Sequence, residues 1–121
     1  MDIRIKTSDY SITPQVSEYL EDKLAVIGKL LAERESLARC EVELGRAIGR
    51  AQHGDVWRAE ITLVVEGELF RAEASGESIN AAIDAVKDEM LTRLRRTKDK
   101  RFALMRRTGA QIKKWTRFGK E

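Results

Sequence analysis

Twelve lysines and arginines crowd the last 31 residues of this 121-residue chain, at positions 93, 95, 96, 98, 100, 101, 106, 107, 113, 114, 117 and 120. Only Asp99 and Glu121 oppose them, so the segment from Leu91 to Glu121 carries a net +10. The ninety residues before it hold eleven basic and eighteen acidic groups, a net −7. Cations gathered in this way suit a polyanion, because each phosphate neutralised releases a condensed counterion. Arginine forks match phosphate oxygens, and aromatic rings among them, here Trp115 and Phe118, can stack on unpaired bases. Two other uses of those rings stay open: folding back onto an apolar sheet, or meeting anionic lipid headgroups. The lipid reading is the weaker one, because Ile112, Trp115 and Phe118 make only a short apolar face. A tail kept merely for solubility accounts poorly for ten net charges in 31 residues.

Catalytic constellations are missing from the sequence. The one histidine, His53, stands between Gln52 and Gly54 and cannot make a metal site alone. Gly45-Arg-Ala-Ile-Gly49 lacks the lysine and hydroxyl of a phosphate-cradling loop. Cys40 falls on an inward strand position, where a free cysteine is most often a small core residue. The acidic residues sit mostly on outward strand faces, where solvation explains them. The expectation is a non-enzymatic protein with no metal, cofactor or small-molecule substrate. A single cysteine excludes an internal disulfide, and no apolar run reaches the roughly 18 residues of a membrane span, so the natural compartment is the cytoplasm.

The elements that must position the cations follow from periodicity. Ile3 and Ile5 alternate with Asp2, Arg4 and Lys6 as a half-buried first strand. Thr13-Pro14 opens a helix to about Ala32, with Val16, Leu20, Leu24, Ile27 and Leu31 on one stripe. Lys29 lies opposite that stripe and Lys23 on its flank. Ala38, Cys40, Val42 and Leu44 form the inward face of a second strand. Trp57, Ala59, Ile61, Leu63 and Val65 form that of a third, with Trp57 assigned to the core. Glu66-Gly67-Glu68 turns the chain tightly into a fourth strand through Phe70, Ala72 and Ala74, which makes a hairpin. Ser78 caps a last helix whose stripe is Ile79, Ile83, Val86, Met90 and Leu94. Beyond Leu94 the stripe reaches Thr97 and Arg101, so the core contact ends while helical propensity persists, with Arg93, Arg95, Arg96, Lys98, Lys100 and Arg101 around the axis. Residues after about Arg107 read as a tail.

The order is βαβββα, an α+β domain whose antiparallel four-stranded sheet carries two helices on one face. One domain, 1–102, is expected, with a basic tail at 103–121. The layout is close to the αβββα of double-stranded-RNA-binding modules, so a general binder of duplex or structured RNA is the alternative reading.

In this order the pieces resemble the ribosome hibernation-promoting factor and ribosome-associated inhibitor family, also called protein Y. The resemblance covers residues 1 to about 101. It rests on the opening strand with Ile12-Thr13-Pro14 and Lys23-Leu24, and on His53-Gly54-Asp55-Val56-Trp57-Arg58-Ala59-Glu60. Ala72-Glu73-Ala74-Ser75-Gly76, Ala81-Ala82-Ile83-Asp84 and Leu94-Arg95-Arg96-Thr97-Lys98-Asp99-Lys100 complete it. The resemblance implies a monomer that binds the small ribosomal subunit in the channel of mRNA and the A- and P-site tRNAs, and that silences translation in stressed or stationary cells. It also implies rRNA contacts at Lys23 and Lys29 on the first helix and at Arg95, Arg96, Lys98 and Lys100 on the second. Arg93 and Arg101 extend that surface. The family's common arginine three positions before Arg95 is replaced by Thr92, with Arg93 beside it. Two departures mark a short form: the length leaves no room for the C-terminal domain that pairs ribosomes, and the tail is basic where inhibitor types are acidic. Arg106, Arg107, Lys113, Lys114, Trp115 and Arg117 are the candidate contacts of that tail.

Overall fold

A computed structural model describes residues 1–47 and 56–116, with side chains only as far as Lys100. Its elements are β1 (Asp2–Ser8), α1 (Pro14–Leu31), a 3-10 turn (Ala32–Leu37), β2 (Ala38–Arg46), β3 (Trp57–Val65), β4 (Glu68–Gly76) and α2 (Ile79–Thr116). The strands make one sheet in the order β1-β2-β3-β4.

The sheet is mixed, which corrects the expectation of an antiparallel one. β1 pairs parallel with β2, Ile3 opposite Cys40 and Ile5 opposite Val42. The cause is the connection: α1 carries the chain back along the sheet, so β2 starts at the end where β1 started. β2–β3 and β3–β4 are antiparallel. β4 therefore points the same way as β1 and β2, and each helix returns against the strand before it. The two helices accordingly run in the same direction, α1 ending at the β3–β4 turn end of the domain and α2 running on past that end.

Local signals fix the corners. Thr13 Oγ1 accepts from the Val16 N–H at 3.2 Å with Pro14 in the first turn, and Ser78 Oγ accepts from the Ala81 N–H at 3.0 Å. Glu66 and Gly67 take φ of +50° and +83°, the two left-handed positions of a hairpin turn whose twist suits the flanking strands. Gly76 is small of necessity, because a Cβ there would lie 2.8 Å from the Ala82 nitrogen. The first turn of α2 is thereby seated directly on the end of β4.

The core lies between the inner sheet face and the helices. Leu20, Leu24, Ile27 and Leu31 of α1 meet Cys40, Val42, Leu44, Ile61, Leu63 and Val65 of the sheet, with Ile83, Val86, Met90, Leu91 and Leu94 of α2. Leu91 apart, these are inward positions expected for β2, β3 and both helices; Val16 and Ile79, on the expected stripes, are only partly buried. β1 is less covered than its alternation suggested: Ile3 and Ile5 each stay 38% exposed, as fits an edge strand. Trp57 is half-buried, packed edge-on against Tyr10 at 5.1 Å with the Arg46 guanidinium 4.7 Å above its ring. It serves the rim of the core more than its centre. α2 stays helical to Thr116, through most of the segment set apart as a tail. Gly109 is the only strong helix breaker between Leu94 and Thr116, and one glycine costs a helix only about 1 kcal/mol.

Two outcomes test this packing. Gly76→Ala should destabilise the chain by about 1–3 kcal/mol in urea unfolding, through overpacking against α2; an unchanged midpoint would refute the close approach. Cys40 is buried, and desolvation, with the Glu41 charge beside it, pushes its thiol from 9.0 up to about 12. The native state thus holds a proton that the unfolded chain releases. The stabilisation is complete below pH 9 and lost as pH rises towards 12, and Tyr19, whose hydroxyl is also shifted upward, adds in the same direction. At pH 8 the native thiol should resist an aromatic disulfide reagent until urea unfolds the chain. Cys40→Ala should flatten part of the alkaline loss.

Candidate nucleic-acid interface

The two faces of the domain treat their charges differently. On the open face of the sheet, Glu43, Glu60 and Glu73 lie in one cross-strand row, with Lys6 at its β1 end. Cations answer them closely. Arg58 donates to Glu73 and lies 3.4 Å from Glu60, Arg71 lies 3.6 Å from Glu60, and Ser8 Oγ donates to Glu43 at 3.0 Å. The hydrogen bond to Glu73 holds the Arg58 guanidinium above its ordinary pKa. Farther along, Arg39 pairs with Glu41 at 3.7 Å and Arg4 with Asp2 at 3.8 Å. A shallow depression over this lattice is lined by both signs, among them Arg4, Lys6, Glu41, Glu60 and Arg71. Such a surface has little net field to draw a polyanion.

The helical side is built the other way. The apolar stripe of α2 grips the domain as far as Leu94, which is 7% exposed. Directly after it, Arg95, Arg96, Lys98 and Lys100 are exposed, and among the described residues none has a carboxylate within salt-bridge distance. Arg93 is partly answered by Glu89, one helical turn back at 3.1 Å. From Leu94 the helix continues 22 residues to Thr116, roughly 33 Å at about 1.5 Å per residue. Lys29 lies exposed in the last turn of α1, where it also complements the helix dipole. With the helices running in the same direction, Lys29 and the α2 cations belong to one end of the molecule.

Lys23 is the exception. Its ammonium lies 3.6 Å from Asp84 Oδ1 and 4.8 Å from the centre of the Tyr19 ring, between the helices. Tyr19 carries no signal in the sequence separable from packing, and Asp84 enters it only within the resemblance motif Ala81-Ala82-Ile83-Asp84. The available hint was spacing, since Tyr19 and Lys23 share a face of α1 and Asp84 follows the core residue Ile83. Arg101, Arg106, Arg107, Lys113, Lys114 and Trp115 fall on the α2 backbone, their side chains outside the described residues. Arg117 and the loop holding His53 also lie outside them. Among the described residues, no cluster of His, Cys, Asp and Glu could hold a metal ion.

Like charges three and four apart on a helix repel, by about 0.2–0.5 kcal/mol per pair. Arg95 with Lys98 and Arg96 with Lys100 are such pairs. Replacing the four with glutamine should therefore leave the melting temperature unchanged or raise it slightly. A fall of several degrees would show that these cations serve the fold.

The arrangement offers cations on a rigid helix to an extended anion, and among the described residues no metal ligand set stands beside them. Comparison with known proteins leads to the same group. Residues 3–101 match the family model described as Sigma 54 modulation protein / S30EA ribosomal protein. A ribosome hibernation promotion factor of Picosynechococcus sp. is 29% identical over 102 residues, 84% of this chain and 51% of that protein. The chain thus spans about half the length of the curated relative it matches. The crystal structure of the Thermus thermophilus protein Y N-terminal domain is 28% identical, with a TM-score of 0.63 over 80% of this chain and 99% of that one. A ribosomal subunit interface protein from Coxiella burnetii shares the fold, with a TM-score of 0.65 at 15% identity over 82% of this chain and 99% of that one. With residues 3–101 inside the match, from β1 through α2 as far as Arg101, the chain belongs to the Sigma 54 modulation protein / S30EA ribosomal protein family.

Proposed function

We propose that this chain is a ribosome hibernation factor that binds the small ribosomal subunit in the channel used by mRNA and tRNA and represses translation under stress or in stationary phase. The observation that carries the reading is the uncompensated cation row Arg95, Arg96, Lys98 and Lys100, held rigid by the last core contact at Leu94. The names of its relatives support the ribosome as the partner. Rigid cations at fixed spacing suit folded rRNA, whose phosphates are themselves fixed, because little side-chain and backbone order is lost on binding. Lys29, Arg93 and Arg101 extend the row. Arg106, Arg107, Lys113, Lys114, Trp115 and Arg117 carry the contact farther along the channel.

The factor acts as a cytoplasmic monomer on rRNA, with no small-molecule substrate and no catalytic step. No described helix is long and apolar enough to cross a membrane. Occupying the path of mRNA and tRNA is itself the repression, so binding and function share one surface.

Co-sedimentation with purified small subunits at graded salt tests the reading. The wild-type chain should bind with steep salt dependence, and reversal of Arg95, Arg96, Lys98 and Lys100 to glutamate should abolish binding while circular dichroism stays native. Removal of residues 103–121 should weaken binding and lower the salt slope. Retained binding by the reversed protein would move the interface elsewhere, and equal affinity for any long RNA duplex would favour a general duplex-RNA module.

A further inference from the structure

Lys23 stands in the region assigned to rRNA, yet its charge is already spoken for. Tyr19 and Lys23, one turn apart on α1, reach across to Asp84 on α2. The Tyr19 hydroxyl donates to Asp84 Oδ2 at 2.6 Å, and the Lys23 ammonium faces Oδ1 at 3.6 Å while lying over the Tyr19 ring. Oδ1 is buried and has no hydrogen-bond partner among the described residues, so the Lys23 charge is what offsets its desolvation. The Lys23 side chain is 29% exposed and that of Asp84 44%, so the pair is partly solvated and only Oδ1 is sequestered.

Two consequences follow from elementary electrostatics. A phosphate close enough to pair with Lys23 would also sit near the Asp84 carboxylate, and like charges in a partly dry cleft repel strongly. Drawing Lys23 outward to meet that phosphate would leave a buried carboxylate oxygen uncompensated, which is costly. The exposed cations of α2 beyond Leu94 face neither obstacle.

We propose that Tyr19, Lys23 and Asp84 form an interhelix clamp, in which Lys23 is a positioning residue that fixes α1 against α2 and is not itself a phosphate ligand. The clamp sets the distance between Lys29 at the end of α1 and the cation row of α2. Its bearing on binding rests on the rRNA reading above.

The test uses the full chain with Lys23→Met, Asp84→Asn, their double variant, and Tyr19→Phe, which keeps the ring and removes only the hydroxyl. Urea unfolding should show Lys23 and Asp84 coupled, the double variant losing less than the two singles together. In alkaline absorbance titration, the tyrosine signal that Tyr19→Phe removes should move towards its ordinary range in Asp84→Asn. Against small subunits, Lys23→Met should weaken affinity several-fold without changing the slope of log affinity on log salt. Lys29→Met, taken as a direct contact, should lower that slope by roughly 0.7–0.9.

A slope lowered equally by Lys23→Met in the wild-type and Asp84→Asn backgrounds would make Lys23 a direct ligand and overturn the assignment. Additive unfolding effects together with an unmoved tyrosine titration would remove the clamp itself. Failure of the wild-type chain to bind small subunits would overturn the ribosomal reading and the binding half of this proposal with it. The unfolding and titration results would still decide the clamp on their own.

Discussion

The apolar stripe of α2 ends before its helix does, and the rest of the molecule's character depends on that mismatch. Ile83, Val86, Met90 and Leu94 dock on a sheet face already filled by Val42, Ile61 and Leu63, which fixes the helix axis to the domain. From Arg95 to Lys100, the last described side chains, none is buried, so the sequence there is released from the demands of packing. What replaces them is charge: Arg95, Arg96, Lys98 and Lys100 occupy successive directions around a helix that cannot pivot at its root. A flexible segment with the same composition would have to be ordered at the moment of binding, and that ordering would subtract from affinity.

Electrostatics then divides the domain into two sides of different use. The strand faces that look outward alternate sign closely enough for neighbours to neutralise one another, through Arg58, Glu60, Arg71 and Glu73 in particular. Exposed pairs of this kind contribute little stability. Their larger effect is to leave the sheet face without a strong field. On the helical side Arg95, Arg96, Lys98 and Lys100 have no carboxylate within salt-bridge distance among the described residues, Lys87 and Arg93 pair within α2, and Lys23 is held by Asp84 of the facing helix. That contrast supports the orientation proposed on rRNA, since the helical side has more to gain from approaching phosphates.

Much of this was legible in the chain itself because it is local. Alternation marked β2 and β3, the spacing of leucines and isoleucines marked both helices, and Thr13-Pro14 and Ser78 marked their starts. These signals depend on neighbours within a few residues, where backbone geometry alone decides which side chains share a face. The basic end of α2 was legible for the same reason: its composition changes abruptly where the core stripe stops. Less was visible wherever two distant segments meet. The parallel pairing of β1 needs the return path of α1, and the exposure of Ile3 and Ile5 depends on β1 being at the edge, which no run of six residues records. Trp57 sits at the rim because Tyr10 and Arg46 arrive there from other strands and loops.

Sequence by itself therefore determined the order of the elements, most inward positions of β2, β3 and the two helices, the family and the pool of cations. Only the tertiary structure decided which of those cations remain available. Lys23 and Arg95 are equivalent as letters, each a base near an apolar stripe. Folding brings Asp84 of the facing helix to Lys23 and, among the described residues, puts no carboxylate within salt-bridge distance of Arg95. The free charge of a side chain depends on whatever lies within a few ångströms of it, and that neighbourhood is assembled from residues more than sixty positions apart in the chain.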